Sequence, residues 1–233
     1  MNAAVIIPVY NHEQYIGEVI RQALELGLPV FVVDDGSTDA TPEVIDAIPG
    51  ISVIRHTVNL GKGAALVSGF AAAAKHGCDW ALTIDGDGQH RPEDAENLLQ
   101  AAAQGGRVIV VGRRQGMTGK NVPWTSRFGR GFSNFWVRVS GGPVVQDSQS
   151  GFRIYPLPEA LHLEVQARRY QFEVEILVRA KRKGINTIEA PVGVVYQARG
   201  ERVSHFQPWL DFKRNSVTFC RLICERIFGS SAK

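Results

Sequence analysis

A chain of 233 residues, 25.6 kDa, with 44% hydrophobic and 21% charged residues has the composition of one large folded domain, which excludes a disordered or fibrous protein. A net charge of +3, from 26 Lys+Arg against 23 Asp+Glu, is too balanced for a protein that wraps nucleic acid, so no nucleic-acid partner is expected. Three scattered cysteines, Cys78, Cys220 and Cys224, make neither a disulfide framework nor a four-ligand zinc site, and no apolar run approaches the ~18–20 residues of a spanning helix; both point to a cytoplasmic protein, soluble or peripheral on the inner face of the cell membrane.

The apolar run Ala3–Val9 reads as a strand. Glu13–Leu26 has helical spacing at Ile16, Val19, Ile20, Ala23 and Leu24, and Val30–Val33 is a second strand ending at Asp34. A helix near Thr41–Ala47 follows the cap residues Ser37, Thr38 and Asp39; then come a strand at Ser52–His56, a small-residue helix over Gly63–Lys75 and a strand at Trp80–Ile84. A helix from Pro92 to Gln104 and a strand at Arg107–Val111 complete the alternation. It predicts an α/β fold: a Rossmann-like, mostly parallel sheet flanked by helices.

After Gly112 the texture changes. Residues 113–123 are basic and aperiodic, which predicts a mobile loop that closes over ligands. Trp124–Val139 reads as an aromatic-rich helix, 147–155 as a strand-like piece, Phe172–Lys183 as an amphipathic helix and Thr187–Val195 as a strand. No linker interrupts them, so the division expected is a single domain over 1–206, with a nucleotide-type half at 1–112 and an acceptor-type half at 113–206, followed by an amphipathic helix at 207–233. In that last helix, Trp209, Leu210, Phe212, Val217, Phe219, Cys220, Ile223, Cys224, Ile227 and Phe228 fall on one face. This face would dock on the core or lie on a bilayer, where Lys213, Arg214, Arg221 and Arg226 would flank it.

Ligands of an open parallel sheet bind at the carboxyl ends of its strands, and four of those ends carry chemistry. They read Pro8-Val9-Tyr10-Asn11, Asp34-Asp35-Gly36-Ser37, Asn59-Leu60-Gly61-Lys62-Gly63 and Asp85-Gly86-Asp87-Gly88-Gln89-His90. Asp85 and Asp87, two residues apart past a buried strand, can face one cleft, with Gln89 adding an amide oxygen. A hard cation, Mg²⁺ or Mn²⁺, takes such carboxylates together with phosphate oxygens and neutralises a departing diphosphate. The bland alternative is a turn, since Asp and Gly favour turns for backbone reasons; it loses ground beside three other loaded strand ends. Asp34 and Asp35 read either as a turn and helix cap or as acceptors for a ribose or base, and Lys62 as a phosphate contact or a solvated side chain. Neither G-x-x-x-x-G-K-[ST] nor G-x-G-x-x-G is present, which disfavours ATPases and dinucleotide enzymes.

The series PVYN, VVDDGSTDAT, NLGKGAAL, DGDGQH and DSQSGFR resembles the inverting family 2 glycosyltransferases of the A-type fold, in particular the dolichyl- or polyprenyl-phosphate sugar synthase branch, from Ala3 to about Tyr196. The resemblance implies that Pro8, Tyr10 and Asp35 hold the base of a nucleotide-sugar donor, that Asp85, Asp87 and Gln89 hold the metal and diphosphate, and that Asp147, Gly151, Phe152 and Arg153 line the acceptor and donor sugar; Lys62, from its place between two glycines, joins Asp85 among the expected donor contacts. The Q-x-x-R-W string and membrane helices of processive synthases are missing, which disfavours polymer synthesis.

In an inverting transfer, a hydroxyl acceptor needs a carboxylate base, whereas a lipid phosphate is already ionised and needs only cations to place it. The chain is rich in the second kind of group. Arg113, Arg114 and Lys120 fall in the basic loop, Arg127 and Arg130 on the aromatic helix, Arg153 in SGFR, and Arg202 beside Ser204. Arg113, Arg127, Arg130, Arg202 and Ser204 are therefore the expected acceptor contacts, and Asp147 and Arg153 the expected catalytic pair, with Asp147 as base for a hydroxyl acceptor. The expected reaction is metal-dependent transfer of a sugar from a UDP- or GDP-sugar to a polyprenyl phosphate at a membrane surface, homo-oligomerisation being left open. The competing readings are a transferase acting on a hydroxyl of another lipid or glycan, a sugar-1-phosphate nucleotidyltransferase, and a non-catalytic nucleotide-sugar-binding module.

Overall fold

A computed structural model describes residues 1–115, 124–194 and 208–228, with residues 124–128 and 208 described by backbone alone. The elements, in chain order, are β1 (Ala3–Val9), α1 (Ile16–Leu24), β2 (Val30–Asp34), α2 (Thr41–Asp46), β3 (Ser52–Arg55), α3 (Lys62–Lys75), β4 (Trp80–Thr83), α4 (Ala95–Gly105), β5 (Ile109–Arg114), α5 (Trp124–Val139), β6 (Arg153–Pro156), α6 (Phe172–Arg182), β7 (Thr187–Val192) and α7 (Pro208–Phe228). Short 3₁₀ turns lie at Pro92–Asp94 and Glu159–Leu163.

The seven strands form one sheet in the order β3-β2-β1-β4-β6-β5-β7. Every pairing is parallel except those of β6, which runs antiparallel to β4 and β5. The central strands are buried on both faces because successive side chains alternate across the sheet. In β1, Val5, Ile7 and Val9 join one core layer with Ile20, Leu82 and Leu98, while Ala4 and Ile6 join the other with Leu66, Phe70 and Leu177. Gly69 lets α3 lie directly on β1, since a Cβ there would collide with Ile6.

Three expectations change. β5 extends through Gly112 to Arg114 and pairs with β7, so Arg113 and Arg114 stand on a strand and not in a loop. Of the piece expected at 147–155 only the end, from Arg153, is strand; the residues before it form turns that converge on the site. The third concerns α7, which packs beside α5 and α6 through Asp211, Asn215, Thr218, Phe219 and Leu222, whereas Trp209, Phe212, Val217, Ile227 and Phe228 are exposed. The polar-looking side supplies most of the docking face because its groups find partners there, Asp211 pairing with Arg214 at 3.1 Å. Cys220 and Cys224 are exposed as well.

Candidate active site

The carboxyl ends of β1, β2, β3 and β4 open into one cleft of about 590 Å³, lined by Pro8, Tyr10, Asp35, Lys62, Asp85 and Asp87 among others. Sheet order explains the convergence: β3, β2, β1 and β4 are consecutive neighbours, all parallel, so their four loops emerge on the same edge.

Asp35 is buried and holds the turn after β3. Its Oδ1 accepts from the Leu60 N–H (2.9 Å) and its Oδ2 from the Gly61 N–H (2.7 Å). His56 Nδ1 lies 2.7 Å from Oδ1, and the other ring nitrogen meets Ser68 Oγ at 2.9 Å. Asp34 turns the other way, accepting the Ser37 N–H at 2.9 Å and so closing the turn after β2.

The centre of the cleft is an ion-pair chain. Lys62 Nζ stands 2.6 Å from Asp85 Oδ1 and 2.5 Å from Glu173 Oε1 of α6. Burial alone would depress the Lys62 pKa; the carboxylates on either side overcome it and hold the ammonium far above the ordinary lysine range. Burial would likewise raise Asp85, but Lys62 above all, then His90 and Arg114, keep its carboxyl below the usual range. Gly151 closes over this pair: a Cβ there would sit 2.6 Å from Lys62 Nζ and 2.7 Å from Asp85 Oδ1. Only a residue without a side chain fits, which gives the glycine of SGFR its physical reason.

Asp85 and Asp87 both line the cleft, and Asp85 Oδ1, although ion-paired to Lys62, receives no aligned hydrogen bond. Asp87 Oδ1 accepts the Gln89 N–H at 3.0 Å. Gln89 is therefore a turn partner of Asp87, and its side chain is not part of the cleft lining. Among the described residues no three of His, Cys, Asp or Glu are placed to hold a metal ion by themselves. Two carboxylates fit a cation that completes its sphere from substrate phosphates and water, which is the habit of Mg²⁺.

Beside Asp85, Arg114 donates through Nε and an Nη to the two oxygens of Asp147, both at 2.8 Å. Asp147 is fully buried; burial would raise its pKa, and the Arg114 hydrogen bonds and charge, with Arg130 adding, bring it below the usual carboxylate range. A carboxylate so engaged orients an arginine and is a poor proton acceptor, which speaks against the base role expected of it. Arg153, its expected catalytic partner, is likewise engaged. It is fully buried, and its guanidinium donates to the carbonyls of Ser150 (2.6 Å), Glu173 (2.7 Å) and Ser148 (2.8 Å), fastening the turn before β6 to α6. Arg113 donates to Gln146 Oε1 at 3.3 Å, and Arg130 lies partly exposed near Asp147. Lys120, Arg202 and Ser204, like the side chain of Arg127, lie outside the described residues.

The sequence reading did not single out His56, His90, Glu173 or Glu175. His90 is buried against the Phe152 ring, centroids 5.2 Å apart, and burial, with Arg114 and Lys62, pulls its pKa down to about 4 despite Asp85 and Asp147. Glu175 is fully buried, accepting from Arg179 and Arg221 and from the Gln166 and Ala167 N–H groups. Two glutamates inside the apolar run Phe172–Val178 were the available signal: a charge on a core face needs a partner.

The sequence profile of "Glycosyl transferase family 2" matches residues 4–156, the stretch that builds this cleft. The chain belongs to glycosyltransferase family 2. Its likeness runs to the polyprenyl-phosphate branch of that family. The chain is 32% identical over 224 residues to the UDP-N-acetylglucosamine--dolichyl-phosphate N-acetylglucosaminyltransferase of Methanococcus voltae, covering 85% of this chain and 89% of that protein. It is 30% identical over 213 residues to the undecaprenyl-phosphate mannosyltransferase of Micrococcus luteus, covering 86% of each. Mannosyl-3-phosphoglycerate synthase from Rubrobacter xylanophilus superposes with a TM-score of 0.70 at 18% identity, covering 100% of this chain and 76% of the other, which shows the shared A-type fold. This family 2 glycosyltransferase is thus a single domain with its cleft at the expected sheet edge.

Proposed function

We propose that this glycosyltransferase moves a sugar, with inversion, from a UDP- or GDP-sugar to a polyprenyl phosphate at a membrane surface. In that reading residues 1–112 bind the donor, with Tyr10 and Asp35 at the base end of the cleft, Lys62 near the diphosphate, and Asp85 and Asp87 holding Mg²⁺ or Mn²⁺. The cation supplies charge to a leaving diphosphate. The acceptor phosphate oxygen forms the new bond to the sugar C1 as the C1–O bond to the diphosphate breaks, and the electron pair leaves with the diphosphate.

One observation carries the choice of acceptor. The buried carboxylate on that flank, Asp147, is spent on fixing Arg114, so among the described residues there the site offers arginines to an acceptor and no carboxylate free to act as a base. A phosphate monoester, ionised near neutral pH, needs only that. Arg114 and Arg130 would place it, and Arg113, Arg127, Arg202 and Ser204 are proposed to extend the contact. The names of the M. voltae and M. luteus relatives carry the same acceptor class. Membrane contact is supported by the outward apolar face of α7, where Trp209 is 88%, Val217 62% and Phe228 71% exposed. No described helix is long and apolar enough to cross a membrane.

Calorimetric titration of UDP and GDP with Mn²⁺ tests the donor half. One nucleotide binds, and Asp87→Ala removes the metal-dependent part of that binding while the melting temperature holds; equal binding with and without Asp87 would remove the carboxylate pair from the account.

A further inference from the structure

Outside the donor cleft, a second groove of about 530 Å³ runs between the turn at 166–171 and helix α7. Arg168, Lys213 and Arg214 line it, together with Arg169, which stands on the wall shared with the donor cleft, and its lining includes no acidic residue among the described residues. Arg214 is paired with the buried Asp211 at 3.1 Å, which leaves an excess of three positive charges. Gln171, only 5% exposed, lines the same groove, and its Nε2 has no hydrogen-bond partner among the described residues. A buried amide donor without an acceptor costs free energy unless a ligand or water supplies one.

The groove is built rather than incidental. The Arg168 carbonyl accepts the Ala64 N–H of α3 at 3.0 Å, the Glu175 carboxylate accepts the Gln166 and Ala167 N–H groups at 3.1 and 2.9 Å, and Arg221 of α7 donates to Gln166 Oε1 at 2.6 Å. The turn is thereby tied to α3, α6 and α7 together. It lies beside the β3–α3 turn, on the side of the cleft away from β5 and its Arg113 and Arg114. Its wall on α7 includes Leu210 and Val217, 40% and 62% exposed, which belong to the outward apolar face of that helix.

We propose that this groove is a headgroup site for an anionic glycerophospholipid of the bilayer, separate from donor and acceptor. The inference rests on the membrane reading above. Charge complementarity selects the headgroup, since Arg168, Arg169 and Lys213 meet no carboxylate in the groove lining and call for an anionic oxygen acceptor. Continuity selects a lipid over a soluble phosphate. An anion seated among Arg168, Lys213 and Gln171 places its acyl chains along Leu210 and Val217, which lead onto the exposed Trp209.

Vesicle co-sedimentation at about 0.15 M salt, where screening sets in within about 8 Å, tests it with the full chain, using phosphatidylcholine alone and phosphatidylcholine with phosphatidylglycerol. The wild type is expected to partition more strongly into the anionic vesicles. Arg168→Gln with Lys213→Gln lowers that partition coefficient about 30-fold, two cations each losing their attraction to the surface, and leaves the weaker binding to neutral vesicles unchanged. The control pair Lys75→Gln with Lys181→Gln, the same charge removed from the far ends of α3 and α6, changes it by less than about 3-fold, beyond a screening length from the groove. Equal losses in the two pairs would mean net charge alone and overturn the site. Equal binding of the wild type to both vesicles also overturns it, while the membrane reading stands. No binding to either vesicle would remove that reading and the site with it.

Discussion

Gly151→Ala is the sharpest perturbation of the cleft. The Gly151 carbonyl accepts the Thr83 hydroxyl at 2.7 Å, which pins the backbone to β4. A methyl group there would meet Lys62 Nζ at 2.6 Å and Asp85 Oδ1 at 2.7 Å, where ordinary contact begins at 3.4 Å. Asp85 Oδ2 lies nearer still, so with the backbone held the ion pair must retreat by roughly 0.7–1 Å, the scale of displacement that can cost about 100-fold in rate. The expected outcome is a fall of about 100-fold in kcat/KM for sugar transfer. The stability loss is about 1–3 kcal/mol, as for an overpacked core, so the variant still folds at 25 °C. Gly131→Ala is the control: nothing lies within 4 Å of its Cβ, and in α5 the substitution gains about 0.5–1 kcal/mol by helix propensity. Steady-state kinetics and urea unfolding of both variants decide it. Full transfer activity in folded Gly151→Ala would refute the placement of Asp85 and Lys62 at the reacting centre.

Two further predictions address buried charge. Asp147→Asn leaves Arg114 largely buried without its carboxylate and costs about 3 kcal/mol in urea unfolding at pH 7, the low end for a broken buried pair because Arg114 keeps 18% exposure. The folded-state carboxyl lies below its ordinary 3.8, so the advantage of the wild type is complete above that pH and shrinks as pH falls below it; a gap that widens in acid would contradict the pairing. His90 titrates near 4 when folded and near 6.5 when unfolded, so between those values the unfolded chain takes up a proton that the folded chain refuses. Stability therefore falls as pH drops through 6.5, by up to about 1.4 kcal/mol per unit, and His90→Phe, which keeps a ring against Phe152, loses that component. Parallel profiles for wild type and variant between pH 6.5 and 4.5 would refute the burial argument.

Much of the sheet was legible because β1, β2 and β4 are short apolar runs that lead to Asn11, Asp34 and Asp85, and β1 matches the expected Ala3–Val9 residue for residue. The cleft was legible for the same reason: parallel neighbours deliver their carboxyl ends to one edge, so Tyr10, Asp35, Lys62, Asp85 and Asp87 meet. What a linear motif does not carry is direction. Arg153 stands in SGFR as expected, yet its guanidinium turns inward to three carbonyls, and Asp147 faces Arg114. Helical periodicity left the apolar face of α7 open between core and bilayer; most of it is exposed, and Asp211 on the opposite side is buried through its local pairing with Arg214. Glu173 escaped notice because its partner Lys62 is 111 residues away, whereas Glu175 pairs both with Arg221, 46 residues away, and with Arg179, one helical turn on.

The central claim is transfer from a nucleotide sugar to a polyprenyl phosphate. Incubating the protein with radiolabelled UDP- and GDP-sugars, polyprenyl phosphate and Mg²⁺ or Mn²⁺, then extracting the lipid, measures both substrates at once. The account predicts label in the organic phase that requires the lipid phosphate, is lost on chelation, and is not replaced by free polyprenol. Transfer to polyprenol at an equal rate, or none to the phosphate with any sugar nucleotide, would contradict it.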